Sequence, residues 1–363
     1  MKVLHLEFGR NLYGGALQVA YLLKGLAADH PEIENHLVLP PENPLAKEFP
    51  EGAPVQVHDL KSRGELDPRI YLRLKRVVRR TGPDLIHIHS RRGADSWGVL
   101  LARWAGLPYV LSRRVAYPEA SRLIRWRTAR AACVVGISRR ITEMMAEAGV
   151  PPSRLRCILS AVDTKAYSPR EDTAYFREQT GLGPETPVVA MIGQFIAGKG
   201  HRVLLEAVPG ILEKHPETRF LLFGRGRLEE ALRAAVAAES WRDHIVFMGF
   251  RTDLARLMSG FQVVAHPAFA ERPGVSLLQA SACAVPIVAS RAGGIPEVVH
   301  DGETGFLIEP GDSAALSRHV ANLLGDGSLR GRTGSSGRRL VEERFSISRM
   351  VTEYVNLYRA IPH

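Results

Sequence analysis

Short apolar runs recur along this chain with helix-patterned stretches between them, and that alternation limits the fold more than any other feature. Lys2–Phe8, Ile33–Leu39, Val55–Leu60, Asp84–His89, Tyr109–Leu111 and Cys133–Ile137 are each too short for a helix and rich in aliphatic residues. Between them, Ala16–Ala28, Arg69–Thr81, Ala94–Ala105 and the stretch capped by Ser138 and running to Ala148 read as helices. In Arg69–Thr81 the apolar Ile70, Leu74, Val77 and Val78 fall on one face. Strands joined through helices pair in parallel, because the crossover returns the chain to the same end of the sheet. The pattern predicts a doubly wound parallel sheet.

The pattern stops and then restarts. Ala161 to Pro187 is polar and carries Pro169, Pro184 and Gly181-Leu182-Gly183. Beyond it, strands are expected at Val188–Ile192, Phe220–Phe223, Ile245–Phe247, Val263–Ala265, Pro286–Ser290 and Gly305–Ile308. The intervening helices are Arg202–Lys214, Leu228–Ala238, Asp253–Ser259, Val275–Cys283 and Asp312–Leu324. Gly325–Gly337 reads as loose and Gly/Ser-rich, and Ser348–Ala360 as a final amphipathic helix. We therefore expect an α/β protein of two facing Rossmann-like, doubly wound domains with a cleft between them. Residues 1–165 form the first domain, 166–187 a linker and 188–345 the second, with the helix in 346–363 packing back on the first. A chain of 363 residues is long enough for two such cores.

Composition excludes several classes. The longest nearly uncharged apolar stretch, Leu277–Ala289, is too short to span a bilayer, and Glu7 and Arg10 interrupt the N-terminal run as a signal peptide would not allow. Cys133, Cys157 and Cys283 lack metal-ligand spacing and fit thiols in a reducing cytoplasm. Net charge is +10 and uneven: residues 1–163 hold 25 Lys/Arg against 16 Asp/Glu, and Tyr71–Arg156 alone holds 18 against 5. The first domain should meet an anionic partner.

Chemistry concentrates in His266–Val299. Glu271 stands in a loop of Pro, Ala and Gly, and Gly274 opens the helix that carries Val275, Ser276 and Gln279. Gly293-Gly294 precedes a second helix start at Pro296. A helix start offers unpaired N–H groups to an anion while a neighbouring carboxylate accepts from hydroxyls, which suits a phosphate-bearing sugar.

In order and spacing these segments resemble the family 4 glycosyltransferases of the GT-B fold, of the kind that build lipopolysaccharide and other cell-envelope glycans. The family's Glu-x7-Glu segment corresponds to Glu271 through Gln279, followed by Ala282–Ser290, Gly293–Glu297 and the turn Asp301–Leu307. In the first domain the match includes Gly14-Gly15, the strand end with His87 and His89, and Val162-Asp163. Five positions depart from the pattern: Gln279 for the second glutamate, Gln194 for an arginine ahead of Lys199-Gly200, Ser160-Ala161 for Asn-Gly, and Arg113 for a histidine. The resemblance implies a retaining, metal-independent hexosyltransferase using a nucleoside-diphosphate sugar, a UDP-sugar by default, with no further cofactor. Glu271, Lys199 and His89 are its implied catalytic residues. Gly14, Gly15, Gln194, Gly274, Val275, Ser276 and Gln279 are its implied donor contacts. No Asp-x-Asp occurs in the chain, in keeping with an expected absence of metal. Arg291 and Arg225 are candidates for the role left open at Gln194.

Position suggests a further set. Arg91-Arg92 follow His89, and Arg113-Arg114 follow the next strand, so both pairs should stand on the rim of the first domain and take an anionic acceptor. Arg122, Arg125, Arg127 and Arg130 interleave with Leu123, Ile124 and Trp126, a pattern suited either to a solvated helix or to an anionic membrane surface. The expected protein is cytoplasmic and peripheral at the inner face of the membrane. It moves sugar to an anionic, lipid-linked glycan such as a lipopolysaccharide core. A sugar-nucleotide 2-epimerase and a catalytically weakened nucleotide-sugar-binding relative are the alternatives. Nucleic acid is not an expected partner, because no stacking pattern accompanies the basic residues.

Overall fold

The computed structural model describes residues 1–9, 14–91, 93–114, 121–170, 172–271 and 274–362. The chain divides into two units, Met1–Ala161 with Ile347–His363, and Val162–Ser346.

Unit 1 is a seven-stranded parallel sheet. Its strands are β1 (Lys2–Leu6), β2 (Glu34–Leu39), β3 (Val55–Asp59), β4 (Leu85–Ile88), β5 (Tyr109–Arg113), β6 (Cys133–Gly136) and β7 (Leu155–Cys157), in the order β3-β2-β1-β4-β5-β6-β7. The order reverses between β1 and β4, which pair in register with His5 opposite His87. Helices Gly14–Asp29 and Ile347–Arg359 share one core, with Leu22, Leu23 and Leu26 packed beside Val351, Tyr354 and Tyr358. The other core takes Ile70, Leu74, Val99, Leu101 and Ile124 from helices Arg69–Thr81, Ala94–Ala105 and Ser121–Thr128. Strand β7 was not expected: its three residues follow the Pro151-Pro152 turn and alternate too briefly to register as a pattern.

Unit 2 is a six-stranded parallel sheet of β8 (Val188–Ile192), β9 (Arg219–Phe223), β10 (Ile245–Gly249), β11 (Val263–His266), β12 (Ile287–Ser290) and β13 (Gly305–Ile308). Its order is β10-β9-β8-β11-β12-β13, reversing between β8 and β11. Residues 166–187 belong to this unit, where Phe176 of helix Ala174–Thr180 is buried edge-on against Phe261. Two readings need correction. The Gly/Ser-rich stretch is a helix, Gly327–Arg344, started by Asp326, whose side chain accepts from the Leu329 N–H. The helix expected from Pro296 is only a single 3₁₀ turn, Ile295–Glu297. No helix among the described residues is long and apolar enough to cross a membrane.

Candidate functional site

In an open parallel sheet, the carboxyl ends of the two strands at the order reversal splay apart and leave a crevice. In unit 2 those strands are β8 and β11, and the loops leaving them carry Lys199 and Glu271. The two loops are tied together by backbone: Phe269 N–H donates to the Gly198 carbonyl at 3.0 Å. Gly200 sits at φ 74°, and a Cβ there would lie 1.8 Å from the Pro267 carbonyl oxygen, so only glycine permits this approach. On the other side Gly294 N–H donates to the Glu271 carbonyl at 3.0 Å. A Cβ on Gly293, at φ 56°, would meet that same oxygen at 1.9 Å. The glycines flanking the motif thus fix where the Glu271 backbone stands.

The side chains then converge on one atom. Lys199 Nζ–H and His266 Nε2–H both donate to Glu271 Oε2, the histidine at 2.8 Å. A carboxylate only accepts, so the His266 proton is on Nε2. Burial alone would push the Glu271 carboxyl up, but the His266 bond and the Lys199 charge outweigh it and hold the group at about 2. Glu271 is therefore an anion at any working pH, locked beside a cation. His201, beside this group, is 3% exposed and has no partner for either ring nitrogen among the described residues. Burial, then His266 and Lys199, bring it down to about 4. His266 and His201 were missed from sequence; His266 closes a strand five residues before Glu271, and that spacing was the available signal.

The remaining unit 2 residues fall nearby in the chain's own geometry. Gly274 caps helix Val275–Ala282 in an extended conformation, and Ser276 Oγ–H donates to the Ile192 carbonyl at 3.4 Å, tying the helix start to the end of β8. Val275 is half-buried, and Gln279 is 7% exposed on the second turn. Gln194 is exposed, next to Phe195, whose N–H donates to the Arg225 carbonyl at 3.0 Å. Arg225 is exposed on the loop that this backbone bond ties to Phe195, whereas Arg291 pairs with Asp301 at 2.9 Å and Glu309 at 3.6 Å.

In unit 1 the reversal between β1 and β4 brings together His5, His87 and His89, all buried, their ring nitrogens within 4.8 Å of one another. Such a trio could hold a metal ion, but every ring nitrogen already has a protein partner. His5 bonds His89 at 2.9 Å and Asn35 at 3.0 Å. His87 bonds Tyr358 at 2.6 Å and Ser112 at 2.8 Å, and His89 also meets Arg114 at 3.3 Å. Burial brings all three well down from the usual imidazole range, His5 to about 4. Gly14 and Gly15 open helix Gly14–Asp29, and the Arg114 side chain lies over Gly15, its Cδ 3.4 Å from where a Cβ would stand. Arg91 is half-buried ahead of helix Ala94–Ala105, and Arg92 lies outside the described residues. Arg113 is corrected: it is 3% exposed, inside the unit rather than on a rim. Adjacent residues leave a strand in opposite directions, so a basic pair at a strand end cannot both face out. Arg127 is likewise internal, bonded to Asp95 at 2.7 Å and Ser96 at 2.9 Å, which removes it from the basic surface.

Residues 13–166 match the family model described as Glycosyltransferase Family 4, and residues 172–340 match that of Glycosyl transferases group 1. The chain is 32% identical over 222 residues to a GDP-mannose-dependent alpha-(1-6)-phosphatidylinositol monomannoside mannosyltransferase of Mycolicibacterium smegmatis, a match spanning 56% of each chain. It is 24% identical, over the full length of both, to the lipopolysaccharide core biosynthesis glycosyltransferase LpsE of Rhizobium meliloti. Its fold superimposes on Anabaena Alr3699/HepE in complex with UDP with a TM-score of 0.85 at 20% identity, covering 99% of this chain and all of that one.

Proposed function

Since the chain belongs to the family 4 glycosyltransferases with the GT-B fold, we propose that it transfers a sugar, with retention, from a nucleoside-diphosphate donor to an anionic, lipid-linked glycan. The observation that carries this reading is the Lys199–Glu271–His266 group at the order reversal of unit 2. The donor's diphosphate would lie against Lys199 and the start of helix Val275–Ala282. There a fixed ammonium opposes charge that grows as the leaving group departs, an interaction stronger in the transition state than before it. Glu271, held ionised, accepts from the sugar hydroxyls and faces the positive charge of an oxocarbenium-like centre. Gln279 accepts from the ribose as a neutral amide, and Arg225, on the loop tied by backbone to Phe195, supplies the second cation. No resident metal is invoked. Two of the relatives, a phosphatidylinositol monomannoside mannosyltransferase and a lipopolysaccharide core glycosyltransferase, support a glycolipid acceptor here, while others are named for L-malate, 2-deoxystreptamine and inositol 3-phosphate.

A basic, partly apolar face of unit 1 supports contact with an anionic membrane. Leu72, Leu100, Trp104 and Leu123 are exposed, and Lys75 and Arg79 stack on Trp104 at 4.1 and 5.4 Å.

The test is a thermal-shift panel of UDP-, GDP- and ADP-sugars on the purified chain. A true donor at a hundred times its Kd stabilises the native state by about 2.7 kcal/mol. Lys199→Ala should fold, lose most of that shift and lose most transfer. A wild-type shift and rate in Lys199→Ala would remove the residue from the site, and no shift with any nucleotide sugar would sink the donor reading.

A further inference from the structure

We propose that Arg114 is the residue of unit 1 that touches the anionic group of the substrate, and that His89 acts through it, as one link of a hydrogen-bonded mount running from Arg114 through His89 and His5 to Asn35. The direction of every bond follows from the first. A guanidinium only donates, so the His89 Nδ1 that faces Arg114 Nη2 at 3.3 Å is the bare, accepting nitrogen. The His89 proton is then on Nε2 and is donated to His5 Nδ1 at 2.9 Å. His5 is left with its proton on Nε2, donated to Asn35 Oδ1 at 3.0 Å, and Asn35 Nδ2–H ends the chain on the Ile33 carbonyl at 2.8 Å. Both tautomers are fixed, and all four bonds point from the guanidinium into the sheet.

Two consequences follow. His89 is 1% exposed with both ring nitrogens engaged, so it has no site from which to exchange a proton with substrate. The mount holds Arg114 at its Nη2, and its stem lies over Gly15, where any Cβ would stand 3.4 Å from its Cδ. A guanidinium fixed in this way loses little freedom when it closes on a phosphate or carboxylate. The groups packed around the mount are His87, with its partners Ser112 and Tyr358, and Tyr354 on Ser112. None interrupts the chain of donors. The assignment of the anionic group to a phosphorylated acceptor rests on the function proposed above; the mount itself does not.

The experiment is long-range proton–nitrogen NMR on the intact chain labelled at its histidines, with inorganic phosphate as the probe. Wild type should show His5 and His89 as neutral Nε2–H tautomers, and phosphate should move the His89 Nδ1 resonance. Arg114→Met should weaken that response at least tenfold, as should His5→Leu, which can neither accept nor donate. His5→Gln, which can do both, should restore it. A His89 in the Nδ1–H tautomer, or a phosphate response unchanged in Arg114→Met, would overturn the proposal whatever the enzyme's donor proves to be. So would zinc sulfate stabilising wild type but not His5→Gln, since the trio would then be a metal site. UDP and GDP should leave the phosphate response in place; competition by either would overturn the acceptor assignment and give Arg114 to the donor's diphosphate.

Discussion

Glu271 shows how much one atom can carry. Its Oε2 receives both Lys199 and His266 inside a nearly buried group, so the carboxylate is stabilised in the folded chain relative to the unfolded one. Its pKa drops from an ordinary 4.5 to about 2 on folding. Between those values the unfolded chain binds the proton and the native chain does not, so acid favours unfolding. The contribution is complete above pH 5, on the order of 3 kcal/mol, and is lost as pH falls toward 2. In Glu271→Gln that pH dependence is absent. Urea denaturation of both proteins from pH 6 to pH 2 should show their difference shrinking as pH falls, and a constant difference would mean that the charge is not what stabilises this loop. The glutamate and lysine were singled out by the resemblance to the family, and the structure brings their side chains together. His266 and the His89–His5–Asn35 chain were not, because each joins residues distant in sequence or lacks any motif of its own.

At the level of elements, helix Gly327–Arg344 contradicts its own composition. Gly331, Gly334 and Gly337 each lower helix propensity by up to about 1 kcal/mol, which is why the stretch reads as loose. Packing requires glycine at Gly334 and leaves Gly337 in ordinary contact. A Cβ at Gly334 would stand 2.0 Å from the Ala284 carbonyl oxygen, and one at Gly337 would meet the Ser281 side chain at 3.4 Å, so the helix lies unusually close to the end of helix Val275–Ala282. Nothing lies within 4 Å of a Cβ at Gly331, on the exposed face. Alanine at the two positions should therefore act with opposite signs. Gly331→Ala should stabilise by about 0.5–1 kcal/mol, and Gly334→Ala should destabilise by about 1–3 kcal/mol as the helix is pushed away. Denaturation midpoints read this directly, and stabilisation by both would show that propensity rather than approach sets this helix.

At the level of the whole molecule, chain order and spatial order part company at the C-terminus. Residues 347–363 follow unit 2 in sequence but complete unit 1, burying Met350, Val351, Tyr354, Val355 and Tyr358 against helix Gly14–Asp29 and satisfying His87 through Tyr358. A chain ending at Ser346 should lose hydrogen-exchange protection throughout β1–β7 while the amides of β8–β13 stay protected; retained protection in both units would show the helix to be dispensable. The surplus charge has its own reading at this scale. Vesicles containing anionic phosphatidylglycerol should bind the intact chain, weakly at high salt, and neutral phosphatidylcholine vesicles should not. Trp104→Glu with Leu72→Glu should abolish co-sedimentation while sparing nucleotide-sugar binding, and unaltered sedimentation would sink this face as the membrane contact.

The alternation of short aliphatic strands with amphipathic helices determined the parallel, doubly wound sheets, because backbone pairing and side-chain periodicity are local and leave their period in the sequence. The glycines, glutamate and lysine of the second unit stood out through the family pattern, and the close backbone approaches at Gly200 and Gly293 give the physical reason for the glycines. The tertiary structure alone decided which polar groups meet. Arg113 and Arg114 took opposite faces of the sheet, Arg113 buried and Arg114 half-buried against Gly15 and His89, because a strand's faces alternate while the sequence shows only a basic pair. His5 met His89 because the strand order reverses between β1 and β4, placing residues 84 positions apart at 2.9 Å. Gly327–Arg344 became helical because burial against a neighbour outweighs a propensity deficit of a few kcal/mol, a balance that no window of sequence contains.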